Sequence, residues 1–402
     1  MPSGLRHVLA ACLTLAMMGA AAAAPAPLGL TQAQQLAIER SPLMTAYSAS
    51  VDAARAMAAT AGQSRVTDGK AGVEQRPVQE SDASAFGRNV NTVTRSGLVQ
   101  QPFSAEMRQS LAERYARDAD RANVQQLATR VDIGRETALA WFECYYVEQM
   151  ARVATDQLNF VRVELEAAER MYWAGRLTQA EFYATRSMLV SFEDRSSELE
   201  HRGRATRIAL KRWVGDAGDA PLAALPDVDR VLLRPAALEG DLARLPEIAL
   251  LEKQEDIAAS DVRVARADRQ STAEIGISLA KRDEARATRE EKLRAEVADM
   301  RIRIDEWQHA RDRRDRYARQ LVPLARERTQ ASLVAYRGGK ASLSEVLAAR
   351  RAETEAQMQS IETAREVARM WTRINFALPD QVPSAPGAPG APSASARAGI
   401  AP

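Results

Sequence analysis

Between Ser104 and Tyr172 the chain contains no proline and one glycine, Gly134. At a rise of about 1.5 Å per residue, an uninterrupted helix over these roughly 70 residues reaches on the order of 100 Å. Such a helix does not fit inside a compact domain and needs partners along its length. Val124, Leu127, Val131, Gly134, Ala138, Trp141 and Tyr145 alternate spacings of three and four, the heptad rhythm of a packed coiled coil. Composition agrees: 27% of the 402 residues are charged and only 5% aromatic, the profile of long solvated helices.

The chain also repeats itself. "MYWAGRLTQAEFYATR", Met171 to Arg186, is answered by "AYRGGKASLSEVLAAR", Ala335 to Arg350. In each, a tyrosine (Tyr172, Tyr336) is followed three residues on by a glycine (Gly175, Gly339), where a left-handed helix stop costs least, and then by a base (Arg176, Lys340). Thr178 with Glu181, and Ser342 with Glu345, have the spacing of capping boxes that start a return helix. Both stretches are therefore read as sharp helix reversals, and the fold as mainly α: two long antiparallel coiled-coil hairpins from an internal duplication, with a small β region.

The rest of the chain falls around these hairpins. Residues 24–61 form a short helical segment, with Thr31 and Gln34 spaced as a capping box and Pro42 near a helix start. Residues 62–103 are the one sizeable region that reads as strand and turn, in which "AGVEQRPVQESD" and "NVNTVTRSGLVQQPF" have the form of a hairpin weakened by Pro77. The first long hairpin covers 104–213. The segment 214–245 is a linker, and 246–282 repeats the short helix with a reduced β region, the alternation "AEIGISLA". The second hairpin covers 283–378, with a kink expected at Pro323, and 379–402 is a Pro, Ala, Ser and Gly tail with no apolar bulk for a core.

Several function classes are excluded. Net charge is +2 with both signs interleaved, which gives nucleic acid no basic surface; "ARDRRDRYAR" carries Asp312 and Asp315 among its arginines and reads as a solvated face. His201 and His309 stand alone, "GGKAS" at Gly338 lacks the rest of a phosphate loop, and no paired metal-ligand spacing or nucleophile elbow occurs. No catalytic, cofactor or metal site is expected. The five tryptophans sit in helical contexts and are expected to pack.

Residues 1–23 have the layout of a secretory signal peptide: Arg6 and His7, then an apolar run from Val8 to Ala23 too short to span a membrane. "LAAC" at Cys12 has some likeness to a lipoprotein box. Otherwise Cys12 leaves with the signal and Cys144 stands alone, with no disulfide to form.

From about Leu30 to Leu378 the chain resembles the TolC-type outer membrane efflux proteins, and is nearest in phrasing to the cation or heavy-metal branch. The resemblance rests on the "LT" opening with "SPLMTAY", its second-half counterpart "LPEIALLEKQEDIAASDVRVARADR", and the two "Y-x-x-G-[RK]-x-[ST]-x-x-E" tips. It implies a homotrimer in which each chain gives two hairpins to a periplasmic tube, topped by a β-barrel in outer membrane lipid. It further implies an inner-membrane pump and a periplasmic adaptor protein docking at Gly175, Arg176, Thr178, Gly339, Lys340 and Ser342. The expected function is the outer membrane conduit of a tripartite efflux system. The alternative is a barrel-reduced periplasmic scaffold; an adaptor-like protein and an enzyme rank lower.

The sequence departs from the family in one place. The tips lie 164 residues apart (339 − 175) but the matching prolines 204 apart (246 − 42), so the second half is about 40 residues shorter where a membrane hairpin belongs. Between Arg269 and Asp283 there is room for one strand at most.

Overall fold

The computed structural model describes residues 26–61, 63, 67–77, 92–102, 104–233 and 238–382, with backbone alone at 67–77 and 92–102. The signal segment, Cys12 and residues 383–402 lie outside the described residues. The chain forms two compact units, one of residues 1–41, 132–232 and 302–402, the other of 42–131 and 233–301.

The first unit holds α1 (Leu30–Arg40), the later part of α3 (Ala105–Trp173), all of α4 (Gln179–Val214), the end of α7 (Thr272–Arg316), α8 (Val322–Arg337) and α9 (Leu343–Asn375). The single-glycine stretch is one helix of 69 residues. Its expected seam is covered: Val131, Gly134, Ala138 and Trp141 are buried, while Val124, Leu127 and Tyr145 are half-buried. Trp141 anchors the core, its edge against Phe142 at 5.3 Å and its indole N–H donating to Leu28 O at 3.0 Å; Phe142 in turn meets Trp371 of α9 at 6.0 Å. Glu143 ties three helices, accepting from Arg365 of α9 at 2.6 and 2.7 Å and from Arg202 of α4 at 2.8 Å.

Two expectations are corrected in this unit. Helix α1 is capped by Gly29, with no side-chain cap; Thr31 and Gln34 make no capping box, because Gln34 is buried and spends its amide on Gly134 O at 3.0 Å. The chain after Pro379 does not leave the fold at once: Pro379–Gln381 is a 3-10 turn and Val382 is buried over Gly134, where an added Cβ would lie 2.6 Å from the valine Cγ1. Gly134 is thus the seam residue it is because another segment crosses there. Beside Pro323, where a kink is expected, the helix takes a π turn, Tyr317–Leu321, in which Val322 N–H reaches back to Tyr317 O; the wider turn makes room for the ring of a residue that has no N–H to donate.

The second unit holds α2 (Pro42–Ala61), the antiparallel strands β1 (Thr67–Pro77) and β2 (Thr92–Pro102), the start of α3, α5 (Leu238–Leu242), α6 (Pro246–Ala267) and most of α7. Helix α6 is held to α3 by Arg114–Asp261 at 2.9 Å and Glu113–Arg263 at 3.3 Å, and to α7 by Glu255–Arg289 at 3.0 Å and Glu247–Lys292 at 3.2 Å. Pro77 is the last residue of β1, opposite Thr92, so it removes no donor from within the ladder.

Here the expectation for 246–282 fails. "AEIGISLA" is not a strand; α7 begins at Thr272, not near Asp283, and α6 turns straight into it. Gln270 N–H bonds Ala265 O and Arg269 N–H bonds Arg266 O, both at 3.1 Å, with Arg269 left-handed at φ 54°. Ser271 and Glu274 then form a capping box, Glu274 N–H to Ser271 Oγ at 3.3 Å and Ser271 N–H to Glu274 Oε2 at 2.9 Å. Where the first repeat inserts two strands, the second closes with a helical corner.

Candidate functional site

Both hairpin reversals lie in the first unit and are built the same way. At the first, Arg176 N–H bonds Met171 O and Gly175 N–H bonds Tyr172 O, each at 2.9 Å. At the second, Lys340 N–H bonds Ala335 O at 2.8 Å and Gly339 N–H bonds Tyr336 O at 2.9 Å. This is the six-to-one and five-to-two pattern of the Schellman stop. Gly175 (φ 66°) and Gly339 (φ 70°) supply its left-handed residue, and nothing lies within 4 Å of where their Cβ would stand. Conformation, not crowding, demands glycine there. Thr178 and Ser342 then cap α4 and α9 in complete capping boxes with Glu181 and Glu345. The hydrogen bonds from Thr178 hold the Glu181 carboxyl below its ordinary value, so this cap stays charged through neutral pH.

The two reversals share one apolar cluster. Leu343 and Leu347 from the second pack with Ala168 from the first, and Leu177, Met188 and Tyr336 close over them. Tyr336 also brings its hydroxyl to within 3.4 Å of Met171 Sδ; burial raises that phenol's pKa. One turn deeper, the Arg350 guanidinium lies 3.9 Å from the centre of the Phe160 ring and donates to Glu353 at 3.1 Å.

The sequence-predicted positions are thereby brought to one end. Gly175, Arg176, Thr178, Gly339 and Lys340 are exposed and Ser342 is half-buried. Sequence reasoning missed the apolar part of this surface. Tyr172 stacks on Phe182 at 5.1 Å, and beside this pair Trp173 is 78% and Tyr183 53% exposed, with Val334 of the second reversal at 69%. Trp173 corrects the expectation that every tryptophan packs; Trp141, Trp307 and Trp371 are buried and Trp213 is half-buried. The signal was available, since Trp173 falls directly after Tyr172 at the last turn, off the face that packs. Exposed aromatics on the reversal that carries Arg176 suit recognition of another protein surface. Among the described residues no group of three acidic, His or Cys side chains is placed to hold a metal, and His201 and His309 are exposed. No described helix is long and apolar enough to cross a membrane.

No protein-family model matches the sequence, and no curated protein matches it. Solved structures do. The outer-membrane channel OprN is 16% identical, with 87% of this chain and 89% of that one covered at a TM-score of 0.69. The Campylobacter jejuni CmeC outer membrane channel is 13% identical, with 88% and 86% covered at 0.70. CusC, described for its folding and transmembrane channel formation, is 14% identical, with 87% and 92% covered at 0.69. At such identities the likeness is one of fold: the chain has the fold of TolC-type efflux channels.

Proposed function

We propose that this chain is the outer-membrane conduit component of an efflux assembly. It acts as a homotrimer whose hairpins form a periplasmic tube for passive passage of solutes. A periplasmic adaptor linked to an inner-membrane pump, of the tripartite RND type, docks at Gly175, Arg176, Thr178, Gly339, Lys340 and Ser342. The observation that carries this reading is the pairing of two equivalent reversals at one end, where they expose bases and aromatics that nothing among the described residues covers. Among the neighbours in fold, OprN and CmeC are outer-membrane channels and CusC forms a transmembrane channel. The cargo belongs to the cation class on the sequence resemblance alone, and metal susceptibility of a deletion strain tests that part separately.

Reversing both tip charges, Arg176→Glu with Lys340→Glu, is expected to lower adaptor co-purification at least tenfold without changing helicity by circular dichroism. Unchanged co-purification would refute the docking assignment. The second reading, a periplasmic scaffold of the same complex, is favoured by the corner at Asp268–Ser271, which leaves the second repeat no strand to give a barrel. Retention in the outer membrane after carbonate washing supports the conduit; release supports the scaffold.

A further inference from the structure

Two ion pairs fix the height of the corner that joins α6 to α7. Arg114 of α3 meets Asp261 at 2.9 Å and Glu113 meets Arg263 at 3.3 Å; the partner on α6 advances as the one on α3 recedes, so the two helices run antiparallel. From Asp261 the chain takes seven residues to reach Asp268 (268 − 261), and from Arg114 it takes nine to go back to Ala105 (114 − 105). At about 1.5 Å per residue these are climbs of about 10 and 14 Å, so the corner stands level with the start of α3 to within about one helical turn. Only two residues separate that start from the end of β2, and β1 begins beside it, Thr67 opposite Pro102. The corner is therefore at the height where the strand hairpin leaves the helices.

Its side chains suit a membrane surface. On α7, Ala273, Gly276, Ile277 and Ala280 recur at three and four residues and form an exposed stripe without charge, Ile277 being 56% exposed. Lys281 follows one turn after Ile277, and Arg266 and Arg269 stand at the end of α6. All three bases are exposed and have no carboxylate partner among the described residues. The carboxylates nearby are engaged elsewhere: Glu274 caps α7 with Ser271, Asp268 accepts from the Gln270 amide at 3.3 Å, and Asp283 accepts from Arg282 at 2.6 Å. An exposed isoleucine among free bases is the pattern of an interfacial contact, with apolar atoms at the acyl boundary and cations on phosphates. A second copy presenting the same corner would set bases against bases. Resting on the outer-membrane reading of the preceding section, we infer that the α6–α7 corner is a lipid-contact surface for anionic phospholipid. Arg266, Arg269 and Lys281 bind headgroup phosphates, Lys281 by extending its stem along the helix, and Ile277 enters the boundary between them. The second repeat thus meets the membrane without crossing it, and its bases limit how deep the chain sinks, because they do not follow into hydrocarbon.

The test uses the full chain with Cys12→Ala and Ile277→Cys, a fluorescent label at position 277, and carbonate-washed vesicles of phosphatidylethanolamine with phosphatidylglycerol or phosphatidylcholine. Cys144 is buried and stays unlabelled. Lipids brominated near the headgroup are expected to quench the label and iodide is not. Brominated phosphatidylglycerol is expected to quench about fivefold more than brominated phosphatidylcholine at low salt, the factor of a single base at an anionic surface. Arg266→Gln, Arg269→Gln and Lys281→Gln together should bring the two lipids to parity, with helicity and carbonate retention unchanged. Iodide quenching in retained protein would leave the corner in water, and shielding from both quenchers would bury it under another copy; either overturns the inference and leaves the conduit reading standing. Equal quenching by the two lipids before the bases are removed would refute recognition of anionic lipid. Release by carbonate would remove the conduit reading and the inference with it. Unlabelled protein with Ile277 intact gives a second measure: phosphatidylglycerol carried through purification, counted by mass spectrometry, should fall about fivefold or more in the three-base variant, and an unchanged count would overturn the inference.

Discussion

Glu143 is the residue whose removal should loosen the hairpins most directly. Its carboxylate takes both guanidinium groups that reach it, Arg365 at 2.6 and 2.7 Å and Arg202 at 2.8 Å, and so joins α3, α4 and α9. The Glu143 side chain is 29% exposed and that of Arg365 only 13%. Removing one partner of a fully buried pair costs about 3–5 kcal/mol, because the other charge is stranded. Here the loss is smaller: Glu143 is partly wet, and Arg365 keeps its contact to Glu362. Glu143→Ala is therefore expected to destabilise by about 2 kcal/mol, with a coupling to Arg365→Ala of about 1–2 kcal/mol in a double-mutant cycle. Burial alone would raise the Glu143 carboxyl; the hydrogen bonds from Arg202 and Arg365 outweigh it and hold the group below its ordinary 4.5. A depressed folded value contributes stability that is full above the unfolded value and lost as pH falls through the folded one. Glu143→Gln should thus flatten the acid limb of the stability curve below about pH 4.5 and leave its slope at neutral pH unchanged. Urea unfolding followed by circular dichroism at a series of pH values measures both. Additivity of the two alanine variants within about 0.3 kcal/mol, or an unchanged acid limb, would refute the three-helix clamp.

Arg269 holds a left-handed conformation that costs an L-residue about 1–2 kcal/mol, against the greater unfolded freedom of glycine, about 0.4–1 kcal/mol. Arg269→Gly should raise stability by about 0.5–1 kcal/mol, whereas Gly175→Ala and Gly339→Ala should lower it by about 1 kcal/mol or more; equal and opposite signs from the same unfolding assay would identify one shared corner geometry. Cys144 is fully buried and desolvation pushes its thiol up to about 11, so a disulfide reagent at pH 8 should label it only after urea is added, and rapid native labelling would contradict its placement.

What was legible from sequence was whatever the backbone settles within a few residues. The helix stops at Gly175 and Gly339, the capping boxes of Thr178 and Ser342, and the 69-residue helix from Ala105 all follow from local hydrogen bonds and the absence of breakers. The corner at Arg269 escaped because its left-handed residue is not glycine, although Ser271 and Glu274 carried the usual cap spacing. The Thr31–Gln34 spacing misled for the opposite reason: a local cap lost to a distant acceptor, Gly134 O, which Gln34 reaches across 100 residues of chain. The residues proposed for docking could be chosen from the repeat, yet the repeat says nothing about the ends meeting. Only packing of Leu343 and Leu347 on Ala168 puts the two reversals side by side and leaves Trp173 in solvent. The same division holds in the strands. The sequence alone determines that two short β segments exist; which of their residues stand opposite one another depends on the register that sets Glu74 against Arg95, since a slip of one residue would exchange the faces of one strand relative to the other. Local propensity fixes elements because its hydrogen bonds span a few residues, and tertiary structure decides faces, partners and exposure because those depend on atoms far away in the chain.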